Sequence, residues 1–541
     1  MTDFDYDAFI DSYSPTVALA FSGGGYRAML SGGGVIKAMD SRTPGTTGTG
    51  QVGGLLQSAT YFAGLSGGSW LLGSVILNNF TTIGGLQSSD DLWDLESSIL
   101  APDSLSYYSD LRSEVNSKAD AGFETTLTDY WGRALSRQFL NWTDGGPGVT
   151  FSSIALTDGY KNADHPFPIV VAEERHPGEL IVSRNATVFE FNPLEMGSWD
   201  PTLYSFTPLE TLGTNMTNGQ PEEDNVCVRG FDNAGYILGT SSSLFNQFLL
   251  NLNSSGISGI FLEAAQRVLS DFSESETDIA AYTPNPFYGV NTDTNPSGAI
   301  RNLTLVDGGS DLQNLPLVPL VQPFRNVDVI FAFDNSADTL NDDATTSNWP
   351  NGTAMVATYE RAMHGDISNG TLFPYIPDTN TFVNLGLNRR PTFFGCSAQN
   401  ITAGRANATA PPLVVYMPNT PYTYKSNVST FTMSYKNEER DGIIANGWNV
   451  ATQGNSTVTD ANGWPACIGC AIIHRQLERT GVEQSEQCKQ CFTDYCWNGT
   501  LATEDPPQYE PAMFIKTSAG MRVTSGGMAL LVAVVAGLVV M

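Results

Sequence analysis

The sequence predicts an α/β fold with a central, mostly parallel sheet flanked by helices and with large insertions at the sheet edge. Two segments within the first 80 residues predict it, because each runs from an apolar strand through a glycine turn into a helix. That order is typical of parallel strands joined by helices. The composition agrees, since 41% of the 541 residues are hydrophobic and only 15% are charged, as in a chain with a large core.

The first unit begins with the apolar strand Val17–Phe21 and breaks into the glycine turn Ser22–Gly25. A helix is predicted from Tyr26 to about Met39. Consecutive glycines leave backbone N–H groups free to point at one anion, and the helix start adds its positive end, which suits an oxyanion hole. Arg27 could hold a phosphate as a bidentate donor. A dinucleotide site is the rival interpretation, but GGGYRA lacks the third glycine of GxGxxG.

The second unit runs from a predicted strand, 59–63, through Gly64-Leu65-Ser66-Gly67-Gly68 into a helix from Ser69 to about Asn79. This pattern fits a nucleophile elbow, in which a serine on a tight strand-to-helix turn exposes its hydroxyl above the sheet. Ser66 is therefore the candidate nucleophile. A plain glycine turn is the alternative.

A serine nucleophile needs a base, and none of the four histidines lies in a strand-end turn. Asp307 does, because the apolar strand Leu303–Val306 runs directly into Asp307 and a Gly-Gly turn. A buried Asp307 beside Ser66 could accept its proton if burial raises its pKa above the ordinary value of about 3.9. An aspartate that only caps a turn is the alternative.

Other segments extend the predicted sheet. Residues 176–300 are rich in Pro, Asn and Gly and are interpreted as elaboration of the sheet edge. The further strand candidates are 167–172, 327–333 and 413–416, and the helix candidates are 86–100, 123–139, 243–252 and 259–270.

Charge and cysteine content restrict the class of protein. With 26 basic and 56 acidic residues the net charge is −30, which excludes binding to a phosphate backbone through clustered Lys and Arg. The pairs Cys467/Cys470 and Cys488/Cys491 have zinc-ribbon spacing, but disulfides are favoured in an oxidising compartment. Seven cysteines are an odd number, so either one thiol is free or its partner cysteine is missing from this chain.

Thirteen Asn-X-Ser/Thr sequons indicate a glycosylated, secreted surface. About 7 are expected by chance from the Asn, Ser and Thr content. An Asn-rich chain with accidental sequons is the alternative. The asparagines are Asn79, Asn141, Asn185, Asn215, Asn253, Asn302, Asn351, Asn369, Asn400, Asn407, Asn427, Asn455 and Asn498.

The two ends of the chain suggest different compartments. The apolar run 528–541 follows a polar spacer and the small residues Ser518, Ala519 and Gly520, the pattern of a glycosylphosphatidylinositol (GPI) attachment signal. Ser518 is the expected attachment site. The acidic N-terminus has no apolar signal core, so a signal peptide and an eighth cysteine are expected to be missing. The predicted organisation is a remnant at 1–15, one catalytic domain at 16–500, a polar spacer at 501–527 and a GPI tail at 528–541.

Three motifs, taken together and in this order, resemble the fungal lysophospholipase/phospholipase B family, relatives of the catalytic domain of the cytosolic group-IV phospholipases A. They are SGGGYRAM at 22–29, GLSGGSW at 64–70 and LVDGG at 305–309. The resemblance extends from about Thr16 to Cys496. Supporting stretches are FEFNPLEMGSWDP (189–201), GFDNAGYILGTSSSLFNQ (230–247), DNSADT (334–339), NWPNGT (348–353) and FVNLGLNRRPTFFGC (382–396).

The resemblance implies a Ser-Asp dyad of Ser66 and Asp307, oxyanion amides at Gly24 and Gly25, and a phosphate-facing Arg27. It implies hydrolysis of fatty-acyl esters of phospholipids and lysophospholipids through an acyl-enzyme, with no metal or other cofactor. Together with the sequons and the tail it predicts an extracellular protein, GPI-anchored at the plasma membrane or cell wall, or secreted.

Two other classes remain open. One is a conventional Ser-His-Asp esterase that uses His364 or His474 as base. The other is a non-catalytic cell-wall glycoprotein that retains the fold.

Overall fold

A computed structural model describes residues 4–89, 92–100, 106–179, 181–224, 226–245, 279–340, 347–405, 408–458 and 463–515. The predicted helix 259–270, most of 243–252, Asn253, Asn407, Ser518 and the apolar run 528–541 lie outside these residues.

The strands alternate with helices along much of the chain. The strands are β1 Val17–Phe21, β2 Tyr61–Gly64, β3 Phe167–Glu174, β4 Val188–Phe191, β5 Glu195–Ser198, β6 Ser205–Pro208, β7 Met216–Thr217, β8 Gln220–Pro221, β9 Ala280–Tyr282, β10 Leu303–Asp307, β11 Val329–Asp334, β12 Thr392–Phe394 and β13 Leu413–Pro418. The helices are α1 Tyr6–Ser12, α2 Gly25–Met39, α3 Leu55–Ser58, α4 Gly67–Ile76, α5 Ile83–Gln87, α6 Tyr107–Asp120, α7 Leu127–Phe139, α8 Asp158–Lys161, α9 Ala234–Thr240, α10 Thr353–Met363, α11 Gly365–Ser368, α12 Thr379–Asn384, α13 Ala398–Thr402, α14 Asn437–Ser456, α15 Trp464–Thr480 and α16 Glu486–Tyr495.

Eleven of the described strands form one mixed sheet. Its order is β12-β13-β11-β1-β2-β3-β4-β5-β6, with β10 beside β3 and β9 beside β10. The central strands β13, β11, β1, β2 and β3 pair in parallel, and the strands on both sides pair antiparallel. The predicted mostly parallel α/β sheet with edge elaboration is confirmed.

The central strands are buried on both faces. In β1, Val17, Leu19 and Phe21 enter one hydrophobic core, and Ala18 and Ala20 enter the core on the opposite face. Helices α2, α4 and α14 contribute to the first core, and α10 and α12 to the second. Burial on both faces explains why such strands are continuous apolar runs in the sequence rather than alternating ones.

Strands β2 and β10 share one edge of β3. Gly64 of β2 pairs with Val170, in parallel, while Asp307 of β10 pairs with Ala172, antiparallel. Since β4 occupies the other edge of β3 at the same positions, β2 and β10 run toward each other along a single edge. Their carboxyl ends therefore meet about 7 Å apart, two residues along β3.

The predicted helix over 86–100 is wrong. Helix α5 ends at Gln87, and Leu92, Trp93, Leu95, Ile99 and Leu100 are buried without forming a helix. Side-chain oxygens bind the backbone N–H groups that a helix would use: Ser89 binds that of Leu92, Asp94 that of Glu96 and Ser98 that of Leu100. Such local hydrogen bonds compete with helix formation.

Three disulfides confirm the interpretation of the clustered cysteines. Cys467–Cys491 and Cys470–Cys488 join α15 to α16, and Cys396–Cys496 joins the end of α16 to the segment after β12. Cys227 is exposed and forms no disulfide. Within the described ranges, no helix has the length and apolar character needed to cross a membrane.

Candidate active site

Ser66 lies at the turn between β2 and α4 in a strained backbone conformation. Its φ and ψ are +49° and −123°, a region that non-glycine residues seldom occupy outside functional sites. The neighbouring glycines permit the turn, because a Cβ on Gly67 would lie 2.2 Å from the carbonyl oxygen of Gly25 and one on Gly64 would lie 2.5 Å from that of Gly68. The elbow predicted from the sequence is therefore present.

Asp307 ends β10 and is 4% exposed. Its Oδ1 accepts the Gly309 N–H at 3.0 Å. The buried Oδ2 accepts no hydrogen bond with good distance and angle from any described residue. The Ser66 hydroxyl nevertheless lies close enough to stabilise the charged carboxylate and lower its pKa. Burial outweighs these donors and raises the pKa of Asp307 to about 6. The carboxylate can thus act as a base near neutral pH.

Gly24 and Gly25 lie beside the elbow. Their φ values are +131° and +60°, which are accessible to glycine at little cost. The Gly25 backbone contacts the elbow directly, since a Cβ on Gly67 would lie 2.9 Å from the Gly25 nitrogen. Neither amide donates a hydrogen bond to any residue that the structure describes. Two free N–H groups next to a candidate nucleophile can stabilise a developing oxyanion.

Arg27, in the first turn of α2, is 1% exposed. Its Nε donates to the Asn335 carbonyl at 2.8 Å, and its Nη1 donates to the Val428 carbonyl at 2.8 Å and to Thr430 Oγ1 at 3.0 Å. Burial lowers its pKa to about 10, so it remains charged at neutral pH. The contacts fix the guanidinium in place.

The segment after α9 connects the two candidate catalytic residues, and the sequence interpretation missed it. Ser241 accepts the Ser66 N–H through its carbonyl and its hydroxyl, both at 3.0 Å, and donates its own hydroxyl to the Val171 carbonyl. Ser243 Oγ accepts the Asp307 N–H at 3.0 Å. The run of serines in TSSSLF is the only trace of this role in the sequence.

A cavity of about 310 Å³ brings Gly24, Arg27, Ser66 and Asp307 together, whereas Gly25 is not among its lining residues. Its walls include Gly24, Arg27, Ser66, Leu244, Asp307, Gly309, Ser310, Leu312, Asn314, Ala337, Asp338, Thr353 and Thr430. A larger cavity of about 430 Å³ lies against α6 and α7 around Lys118 and Asp129, but neither Ser66 nor Asp307 reaches it. The chemistry therefore assigns the site to the smaller cavity.

None of the four histidines lines the cavity of Ser66. His364 is exposed at the end of α10. His474 is buried in α15, where its ring nitrogens contact the Cys396 carbonyl and Gln484, and burial lowers its pKa to about 4. Within the described ranges, no group of three or more His, Cys, Asp or Glu side chains could hold a metal ion.

Comparison with known proteins gives a consistent result. Residues 17–502 match the model of a lysophospholipase catalytic domain. "Lysophospholipase 1" of Aspergillus fumigatus is 54% identical over 535 residues, covering 96% of this chain and 82% of the relative. "Lysophospholipase 1" of Saccharomyces cerevisiae is 49% identical over 507 residues, covering 91% and 74%. Among solved structures, human GIVD cytosolic phospholipase A2 is similar in fold, with a TM-score of 0.61 at 17% identity over 86% of this chain and 63% of that chain.

Proposed function

The chain belongs to the lysophospholipase catalytic-domain family, and we propose that Ser66 and Asp307 carry out its hydrolysis of fatty-acyl esters of glycerophospholipids and lysophospholipids. The observation that supports this assignment is the meeting of β2 and β10 on one edge of β3. It brings a strained serine and a buried carboxylate with a raised pKa to the same cavity.

The reaction proceeds by double displacement. Ser66 Oγ attacks the acyl carbonyl carbon while its proton passes to Asp307, and the amides of Gly24 and Gly25 stabilise the oxyanion. Asp307 then gives the proton to the leaving glycerol oxygen, which completes the acyl-enzyme. Water attacks this ester, loses a proton to Asp307 and releases the fatty acid, and the proton returns to Ser66.

Arg27 binds the phosphate of the substrate. Its guanidinium is the buried positive charge in the cavity wall, and the Nη2 group donates no hydrogen bond within the described part of the chain. Arg27→Ala should therefore raise KM for a phospholipid more than for a soluble ester without phosphate. Equal effects on both substrates would contradict this role.

Ser66→Ala tests the nucleophile. We expect it to abolish turnover of lysophosphatidylcholine and labelling by a fluorophosphonate, whereas Ser41→Ala, which removes an exposed hydroxyl, should retain both. Full activity in Ser66→Ala would refute the mechanism. Labelling of the unmodified protein at Ser66 would count against an inert glycoprotein.

Histidine variants test the esterase alternative. His364→Ala and His474→Ala should keep turnover, because neither ring lines the cavity. Loss of turnover in one of them, with the fold intact by circular dichroism, would favour a Ser-His-Asp mechanism.

We also propose that the mature protein is an extracellular glycoprotein, held at the plasma membrane or cell wall by a GPI anchor at Ser518, or secreted. Eleven of the thirteen sequon asparagines lie in the described ranges, and none of these is buried. Three disulfides agree with an oxidising compartment. A mass decrease on treatment with an N-glycosidase and release from cells by a phosphatidylinositol-specific phospholipase C would support the proposal. An unchanged mass after glycosidase treatment would refute the glycoprotein, and a cell-bound protein that the phospholipase does not release would refute the anchor.

A further inference from the structure

A second carboxyl group, Asp338, lies in the wall of the active-site cavity. It follows β11 and is half-buried. Its Oδ2 accepts the Asn351 N–H at 3.3 Å. Its Oδ1 receives no hydrogen bond from any described residue. The catalytic steps use only Asp307, so Asp338 has no role in them.

Arg27 faces the same cavity with unused donors. Its Nε and Nη1 groups are occupied by Asn335, Val428 and Thr430, whereas Nη2 has no acceptor within the described residues although the side chain is 1% exposed. A buried cation with free N–H groups needs an anion as partner. Arg27 and Asp338, both described, line this cavity and form no ion pair with each other at 4.0 Å or closer, so the free donors of Arg27 are not taken up by Asp338.

The charges around Asp338 favour its protonated form. Burial and the neighbouring Asp334, behind it in β11, together raise its pKa to about 8, although the Asn351 N–H and Arg27 act in the opposite direction. Tyr416 donates its hydroxyl to Asp334 Oδ2 at 2.9 Å, and Asp307 faces the cavity from β10. At neutral and acidic pH Asp338 therefore carries a proton and is a hydrogen-bond donor.

We propose that protonated Asp338 and Arg27 Nη2 together bind the phosphate of the substrate, and that ionised Asp338 competes with this phosphate for Arg27. Protonated, Asp338 adds one O–H donor to the phosphate site. Ionised, it repels the phosphate and pairs with the guanidinium. Phosphate recognition thus depends on pH separately from the acyl transfer at Ser66. The inference rests on the proposed function.

The test compares KM from pH 6 to pH 9 for monomeric lysophosphatidylcholine and for a soluble ester without phosphate. For the unmodified protein, KM for the phospholipid should rise about tenfold at pH 9, one unit above the pKa of Asp338. KM for the phosphate-free ester should stay constant. Asp338→Asn, which keeps an N–H donor and cannot ionise, should bind the phospholipid equally well at all these pH values. Asp338→Leu, which loses the donor, should raise phospholipid KM about tenfold even at pH 6.

Asp164→Asn, which removes an exposed carboxyl group, is the matched control and should behave like the unmodified protein. The inference is overturned if Asp338→Asn shows the same rise in KM as the unmodified protein. It is also overturned if Asp338→Asn binds lysophosphatidylcholine poorly at every pH, since Asp338 would then bind the head-group cation. Turnover of the phosphate-free ester separates these results from a failure of the proposed function, because that turnover depends on Ser66, Asp307 and the oxyanion amides but not on phosphate binding.

Discussion

Asp307→Asn should inactivate the protein and at the same time stabilise it above pH 6. The substitution keeps the acceptor for the Gly309 N–H but removes the ability to take a proton from Ser66. It also removes the cost of holding a charged carboxylate in a buried site, which is the main cause of the raised pKa.

The size of the stabilisation follows from that pKa. In the folded protein the pKa of Asp307 is raised from 3.8 to about 6. A shift of about two units corresponds to about 3 kcal/mol of unfolding free energy. For a chain of this length the same free energy changes the melting temperature by about 3 °C.

The pH dependence gives the sign. Because the folded-state pKa is the higher one, unmodified protein loses this stability as the pH rises from about 4 through 6. The asparagine variant does not titrate at this position. The stability difference between the two should thus be small at pH 3.5 and reach its full value at pH 7.

Differential scanning calorimetry of both proteins at the two pH values measures the difference. Asp164→Asn, at an exposed position, should show no pH-dependent gain. An Asp307→Asn variant with the same melting temperature as the unmodified protein at pH 7, or with an equal gain at both pH values, would refute the idea that burial raises the pKa of Asp307.

Three further predictions concern the oxyanion site, the base and one disulfide. Gly24→Ala should lower kcat about 100-fold, since its Cβ would lie 2.6 Å from Arg27 Nη2 at a φ of +131° and the backbone amide would have to move. Steady-state assays on the phosphate-free ester measure kcat, and an unchanged value would contradict an oxyanion role. On the same ester kcat/KM should fall tenfold per pH unit below about pH 6, where Asp307 becomes protonated, and should stay constant above pH 6. A pH-independent kcat/KM would exclude Asp307 as the base. Cys396→Ser should lower the unfolding free energy by about 2–5 kcal/mol, because the Cys396–Cys496 bond closes a loop of 100 residues in the unfolded chain. Unfolding in guanidinium measures this loss, and an unchanged free energy would show that the bond does not constrain the unfolded chain.

Much of the core and of the site follows from local sequence. Strands β1, β2 and β10 are predictable because each is a short apolar run that leads into a glycine turn, and Ser66 and Asp307 are identified by their places at those turns. The predicted helix over 86–100 is wrong because the buried apolar residues of 92–100 resemble a helix face, while Ser and Asp side chains accept the backbone N–H groups that a helix would need.

The contacts between distant segments could not be predicted. The antiparallel direction of β10 depends on its pairing with β3 and β9, and no local pattern records it. Ser241 accepts the Ser66 N–H although the two residues are 175 positions apart in sequence. In the sequence alone, a serine with this role looks the same as any other serine in a loop. Such long-range pairing is decided by the tertiary packing, which single-sequence patterns do not encode.

The shared edge of β3 has a consequence for the divergence of relatives. The separation of Ser66 from Asp307 is fixed by two ladder positions on β3 and not by the residues that connect them in the chain. Insertions or deletions between β3 and β10 can therefore accumulate without moving the two reacting groups. A shift of β10 by one residue against β3, in contrast, would turn Asp307 to the opposite face of the sheet. Length variation in the edge insertions should thus be tolerated in evolution, and length variation within β10 should not.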